Sequence, residues 1–132
     1  MRRFVPYNLD AALLILRLVL GIVMIVHGYP KLLGFAGTAG FFASAGIPLP
    51  TLAAAYATIV EVGGGILIIL GVAADLVGLL FAIDMLGAMI FVHIKNGFST
   101  ATGGIEFPLV LFAMALAIAF AGPGGIAVGR KT

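Results

Sequence analysis

The chain has 132 residues, 63% of them hydrophobic, and a mean hydropathy of +1.28. Seven Lys and Arg with five Asp and Glu cannot keep so apolar a soluble domain from associating, which leaves an integral membrane protein. A net charge of +2 and the absence of cysteine exclude a nucleic-acid surface, a disulfide framework, thiolate metal sites and thiol redox chemistry within the chain, and no metal site is assigned.

Arg2 and Arg3 precede a first apolar segment at roughly 10–30, too long for a signal-peptide core and long enough to span a bilayer. The segment holds Arg17 in its interior and His27 and Lys31 towards its far end, while Asp10 at its start complements the helix dipole. Arg17, Gly21, Met24, Gly28 and Lys31 share one face, where small residues allow another helix to approach closely. The following stretch has Phe35, Phe42 and small residues at helical spacing, then Ile47, Pro48, Leu49 and Pro50, which predicts a short interfacial helix or a capped connector.

Thr51 is the expected N-cap of a second segment, 51–72, with Glu61 on a face shared with Ala54, Ala57, Thr58, Gly64 and Gly65. A tight turn at Ala73 and Ala74 implies an antiparallel hairpin with a third segment, 75–95, which opens on Asp75, holds Asp84 inside and ends at His93 and Lys95. A fourth segment, 105–122, opens on Glu106. The expectation is an all-α membrane protein: a single domain, 1–132, forming an antiparallel bundle of four transmembrane helices. Arg2, Arg3, Arg130 and Lys131 then fall on one side and Lys31 and Lys95 on the other, so both termini are expected in the cytoplasm, at the cytoplasmic membrane of a prokaryote.

Ionisable groups inside a bilayer are costly unless paired or wetted, so they mark where function is sought. Counted from the cytoplasmic segment ends at ~1.5 Å per residue, Arg17 lies ~10 Å deep, Asp84 ~14 Å and Glu61 ~16 Å. These depths suggest a buried network in which the Arg17 fork bridges Glu61 and Asp84, either as a static bridge or as a proton site. At the outer end His27, Lys31, His93 and Glu106, with Lys95 nearby, suggest a polar pocket beside glycine-rich loops. His27 and His93 would also suit a haem, the second candidate after a quinone. Asp84 and His93 are nine residues apart, about half a turn out of phase on an ideal helix, so one site is not expected to take both squarely.

A weak repeat relates Val26, His27, Lys31, Gly34 and Phe35 to Val92, His93, Lys95, Gly97 and Phe98. The arginine of the first segment, His27, Gly28, Lys31 and Gly34, then Glu61 with Gly63 and Gly64, Gly71, His93 with Gly97 and Phe98, the Gly103, Gly104, Glu106 entry to the fourth segment, and Gly122, Pro123 and Gly124 together resemble the DoxX family. That resemblance implies a small four-helix membrane protein acting as a subunit or partner of oxidoreductase systems, some linked to thiosulfate oxidation and the quinone pool. A quinone-interacting partner subunit is therefore the leading expectation, with Glu61 or Glu106 handling protons and a separate redox protein supplying electrons. The alternatives are a small proton-coupled transporter and an assembly subunit without turnover. Glycine and alanine faces would permit a homo-oligomer, and no catalytic residue is assigned.

Overall fold

The computed structural model describes residues 2–128; Arg130, Lys131 and Thr132 lie outside the described residues. The chain is helical throughout, with no strand among the described residues. The helices are α1 (Leu9–Leu33), α2 (Phe35–Ser44), α3 (Pro50–Leu70), α4 (Ala74–Asn96) and α5 (Glu106–Ala121). Three of them, α1, α3 and α4, are long and apolar enough to cross a membrane. The 16 residues of α5 rise ~24 Å, somewhat less than the ~30 Å of a hydrocarbon layer.

Helix boundaries follow local chemistry. Asn8 caps α1, its Oδ1 accepting from Ala11 N at 3.0 Å. Thr51 does not cap α3: Leu49 takes the cap position in the left-handed region (φ 48), and Pro50 starts the helix without a side-chain cap. Proline's fixed φ suits the first helical position, where its missing N–H costs nothing. At the other end of α3, Gly71 (φ 83) closes the helix as Val72 N bonds Leu67 O at 2.9 Å and Gly71 N bonds Ile68 O at 3.2 Å. That closure turns the chain within three residues into α4, as the expected hairpin requires.

The faces turned outward are apolar. On α1, Ile15, Val19, Ile22, Val26 and Tyr29 are exposed, and on α4 so are Leu76, Leu79, Ile83, Leu86 and Ile90, each set stepping by three or four residues. In water such stripes would drive association; here they are the surface offered to lipid. The inward faces carry Leu20, Met24, Ile68, Phe81 and Ala115, all at most 1% exposed. Glycine sets how closely the helices meet: a Cβ on Gly21 would come 2.8 Å from Gly65 O, and one on Gly78 would come 2.7 Å from Ala115 O. The expected short helix between the first two segments is α2, which packs mainly on α3.

This packing also fixes the axial register of α1 on α3. Gly28 lies level with Glu61 and Gly21 with Gly65, while Gly71, just past the end of α3, lies level with Arg17. The first two turns of α1 therefore project beyond α3, where Asp10 Oδ1 accepts from Gly125 N at 2.7 Å. We call this the termini end of the bundle, and the opposite one the loop end.

Candidate functional site

Lys31, in the last turn of α1, turns its Nζ back into the bundle. It donates to His27 O at 3.0 Å and to Glu61 Oε1 at 2.9 Å. Glu61 is 2% exposed and the Lys31 side chain 25%, so the pair is buried on its acidic side and reachable on its basic side. The missing side chain of Gly28 makes room for it: a Cβ there would lie 2.6 Å from Glu61 Cβ. Glu61 also sits in a π-helical turn, Ile59–Gly63, inside α3. Such turns insert one residue into the helix and redirect the side chains beyond it.

A second π-helical turn, Met89–His93, interrupts α4. It removes the phase conflict expected between Asp84 and His93. The inserted residue sets the later side chain back by about 100°, so the two come within about 80° of each other instead of half a turn. Both line one cavity of about 400 Å³, together with His27, Lys31 and Glu61. The Asp84 carboxyl adjoins that of Glu61, and its Oδ2 is buried without a hydrogen-bond partner. His93 Nδ1 lies 2.7 Å from Gly103 O; a carbonyl only accepts, so Nδ1 carries the proton and Nε2 of the neutral ring remains an acceptor.

Apart from Thr100 and the Tyr56 hydroxyl, the rest of the wall presents apolar and strongly aromatic side chains. Phe42, Tyr56, Phe81, Phe91 and Phe107 line it, and the His27 ring lies 5.7 Å from that of Phe107, tilted by 37°. Tyr56 Oη donates to Leu80 O at 2.6 Å and ties α3 to α4 at one edge. Sequence reasoning assigned none of these aromatics to the site, because a ring on a membrane helix faces lipid or interior equally well until neighbouring helices are placed.

Two expectations about the site need correction. Glu106 does not line the cavity; its Oε1 accepts from Thr100 N at 2.9 Å and holds the loop between α4 and α5. Arg17 does not bridge Glu61 and Asp84. Its guanidinium is 1% exposed and donates from Nε to Ile68 O at 2.9 Å, from Nη2 to Ile69 O at 2.8 Å, and from Nη1 to Pro123 O at 2.9 Å and Ile126 O at 2.6 Å. Eleven residues separate Arg17 from Gly28, the residue level with Glu61, which is ~16 Å along the axis. Arg17 is thus a clamp on the end of α3 and on the C-terminal segment. The negative end of the α3 dipole offsets its charge.

The family model described as DoxX matches residues 12–94. The chain belongs to the DoxX family. The matched DoxX stretch contains the cavity's two histidines, His27 and His93, its lysine, Lys31, and its two acids, Glu61 and Asp84. Among relatives of this DoxX chain, a protein of Bacillus subtilis (strain 168) named "Putative oxidoreductase CatD" is 36% identical over 115 residues, covering 87% of this chain and 82% of the relative. The "Inner membrane protein YphA" of Escherichia coli (strain K12) is 35% identical over 124 residues, covering 90% and 89%. An uncharacterized protein of Haemophilus influenzae is 28% identical over 135 residues, covering 99% and 95%. No solved structure matches the chain. Together with the apolar helices, membership makes this DoxX protein an integral membrane protein.

Proposed function

We propose that the cavity binds a quinone-type head group and that the protein serves as the membrane partner of an oxidoreductase system. The observation that carries this reading is the meeting of His27, Lys31, Glu61, Asp84 and His93 with aromatic walls in one cavity of about 400 Å³, since planar ligands are held by apolar surfaces and oriented by a few polar groups. Lys31 Nζ and His27 are positioned as donors to a quinone oxygen. His93 Nε2 is an acceptor and suits the hydroxyl of the reduced form. Reduction takes up two protons and two electrons; the adjoining carboxyls of Glu61 and Asp84, with Lys31, are groups that exchange protons, and a redox partner protein supplies the electrons. The relative named as a putative oxidoreductase agrees with this context.

The proposal includes one domain with four membrane spans, α5 being the fourth, and both termini in the cytoplasm. The same Lys31, Glu61 and Asp84 cluster supports a second reading as a proton-coupled carrier, because intramembrane acids are the usual means of proton coupling. Lipid extraction and an optical spectrum of the gently purified protein, followed by titration with decyl-tailed benzoquinone, separate the two. A co-purified quinone, or saturable binding lost in Lys31→Met and Glu61→Gln, supports the first. Apoprotein that ignores the probe, yet acidifies vesicles on addition of a solute, would replace it with the second.

A further inference from the structure

We propose that the cavity fills sideways from the hydrocarbon layer, through a mouth between α2 and α4 whose width is set by the missing side chain of Gly87. Its occupant is then a molecule dissolved in the bilayer and not a solute arriving from the aqueous phase. The proposal rests on the reading of the cavity as a ligand site and adds the route and the residue that governs it.

Three observations on α4 carry the inference. Ile83, Asp84, Gly87 and Ala88 all line the cavity, yet they occupy different sectors of the helix. Ile83 is 51% exposed and belongs to the stripe turned to lipid, whereas Asp84 Oδ2 is buried. Gly87 falls between them, about 40° from Ile83 and about 60° from Asp84 around the axis. A side chain at that position would stand on the border between lipid and cavity. None does: a Cβ built on Gly87 meets nothing within 4 Å.

The far side of the mouth is apolar as well. Phe41 on α2 lines the cavity and is 53% exposed, and Ile47 in the following connector and Ala53 on α3 continue the wall. The Tyr56 bond to Leu80 O closes the seam between α3 and α4 below the mouth, since Leu80, Ile83 and Gly87 follow one another along one stripe of α4. The residues that flank this mouth, Phe41, Ile47, Ala53, Ile83 and Gly87, offer no polar side chain to a molecule entering there. A charged solute would have to leave water without any polar partner at the entrance.

The cysteine-free chain permits a direct test in phosphatidylcholine vesicles. A nitroxide attached to Gly87→Cys is expected to be relaxed more by oxygen, which concentrates in hydrocarbon, than by a water-soluble nickel chelate. In parallel, Gly87→Leu is expected to weaken binding of decyl-tailed benzoquinone about tenfold with an unchanged unfolding midpoint. Gly37→Leu, at another glycine whose Cβ meets nothing within 4 Å and which does not line the cavity, should bind like the wild type. Nickel relaxation equal to or above that of oxygen would mean that the mouth faces water and would overturn the lateral route. So would normal quinone binding by Gly87→Leu. A lipid-facing nitroxide in a wild type that binds no quinone would support the route while removing the proposed ligand.

Discussion

Lys31 and Glu61 form an ion pair of 2.9 Å between the last turn of α1 and the π-helical turn of α3. It is the one ion pair among the described residues, and it stands on the cavity wall. A carboxylate 2% exposed keeps its charge in an apolar bundle only with a partner, so the pair couples the packing of two helices to the electrostatics of the site.

A double-mutant cycle should expose that coupling. Lys31→Met strands the Glu61 carboxylate and is expected to cost about 2–4 kcal/mol, towards the lower end of a buried pair because Lys31 is partly wetted. Lys31→Met with Glu61→Gln should cost clearly less than the sum of the single changes. Thermal unfolding in detergent gives the comparison, and additive losses would show that the pair does not act as a unit.

Arg17 should behave independently of Glu61. Arg17→Ala leaves four carbonyls without their donor and is expected to cost at least about 3 kcal/mol. Arg17→Lys recovers only part of this, because one ammonium cannot serve Ile68 and Ile69 on one side and Pro123 and Ile126 on the other. Arg17→Ala combined with Glu61→Gln should be additive within about 0.5 kcal/mol. Strong non-additivity would mean that the clamp and the cavity communicate.

Gly28→Ala is expected to harm the site while adding a single methyl group. The new Cβ would lie 2.6 Å from Glu61 Cβ and 2.9 Å from Val62 N, so α1 and α3 must separate. Overpacking of this kind costs about 1–3 kcal/mol. Gly37→Ala on α2, which meets nothing within 4 Å, provides the control. Equal unfolding midpoints for the two variants would show that α1 and α3 do not pack this closely at Gly28.

Topology is open to single-cysteine labelling. Gly40→Cys is expected to react with an impermeant thiol reagent in intact cells and Thr132→Cys only after the membrane is opened. The reverse pattern would invert the orientation proposed from Arg2, Arg3, Arg130 and Lys131.

Much of this protein was decided locally, along the sequence. Runs of apolar residues set the helices to within a few residues of their observed ends, because backbone groups in lipid must be bonded within the segment. The same runs made Arg17, Lys31, Glu61 and Asp84 conspicuous, because a charge there must find a partner. Which partner each finds was decided by tertiary structure. Depth counted from segment ends placed Arg17 with Glu61, but the glycine contacts slide α1 along α3 until Lys31 is the cation within reach and Arg17 meets the helix end. Helical phase kept Asp84 apart from His93, but a π-helical turn rotates the last turn of α4 towards the cavity. Axial register and helix phase come from how whole surfaces pack, and a shift of one residue rotates or moves a side chain enough to change its partner. That is why residue types and spans were legible in the chain, while the cavity they build took shape only in the packed bundle.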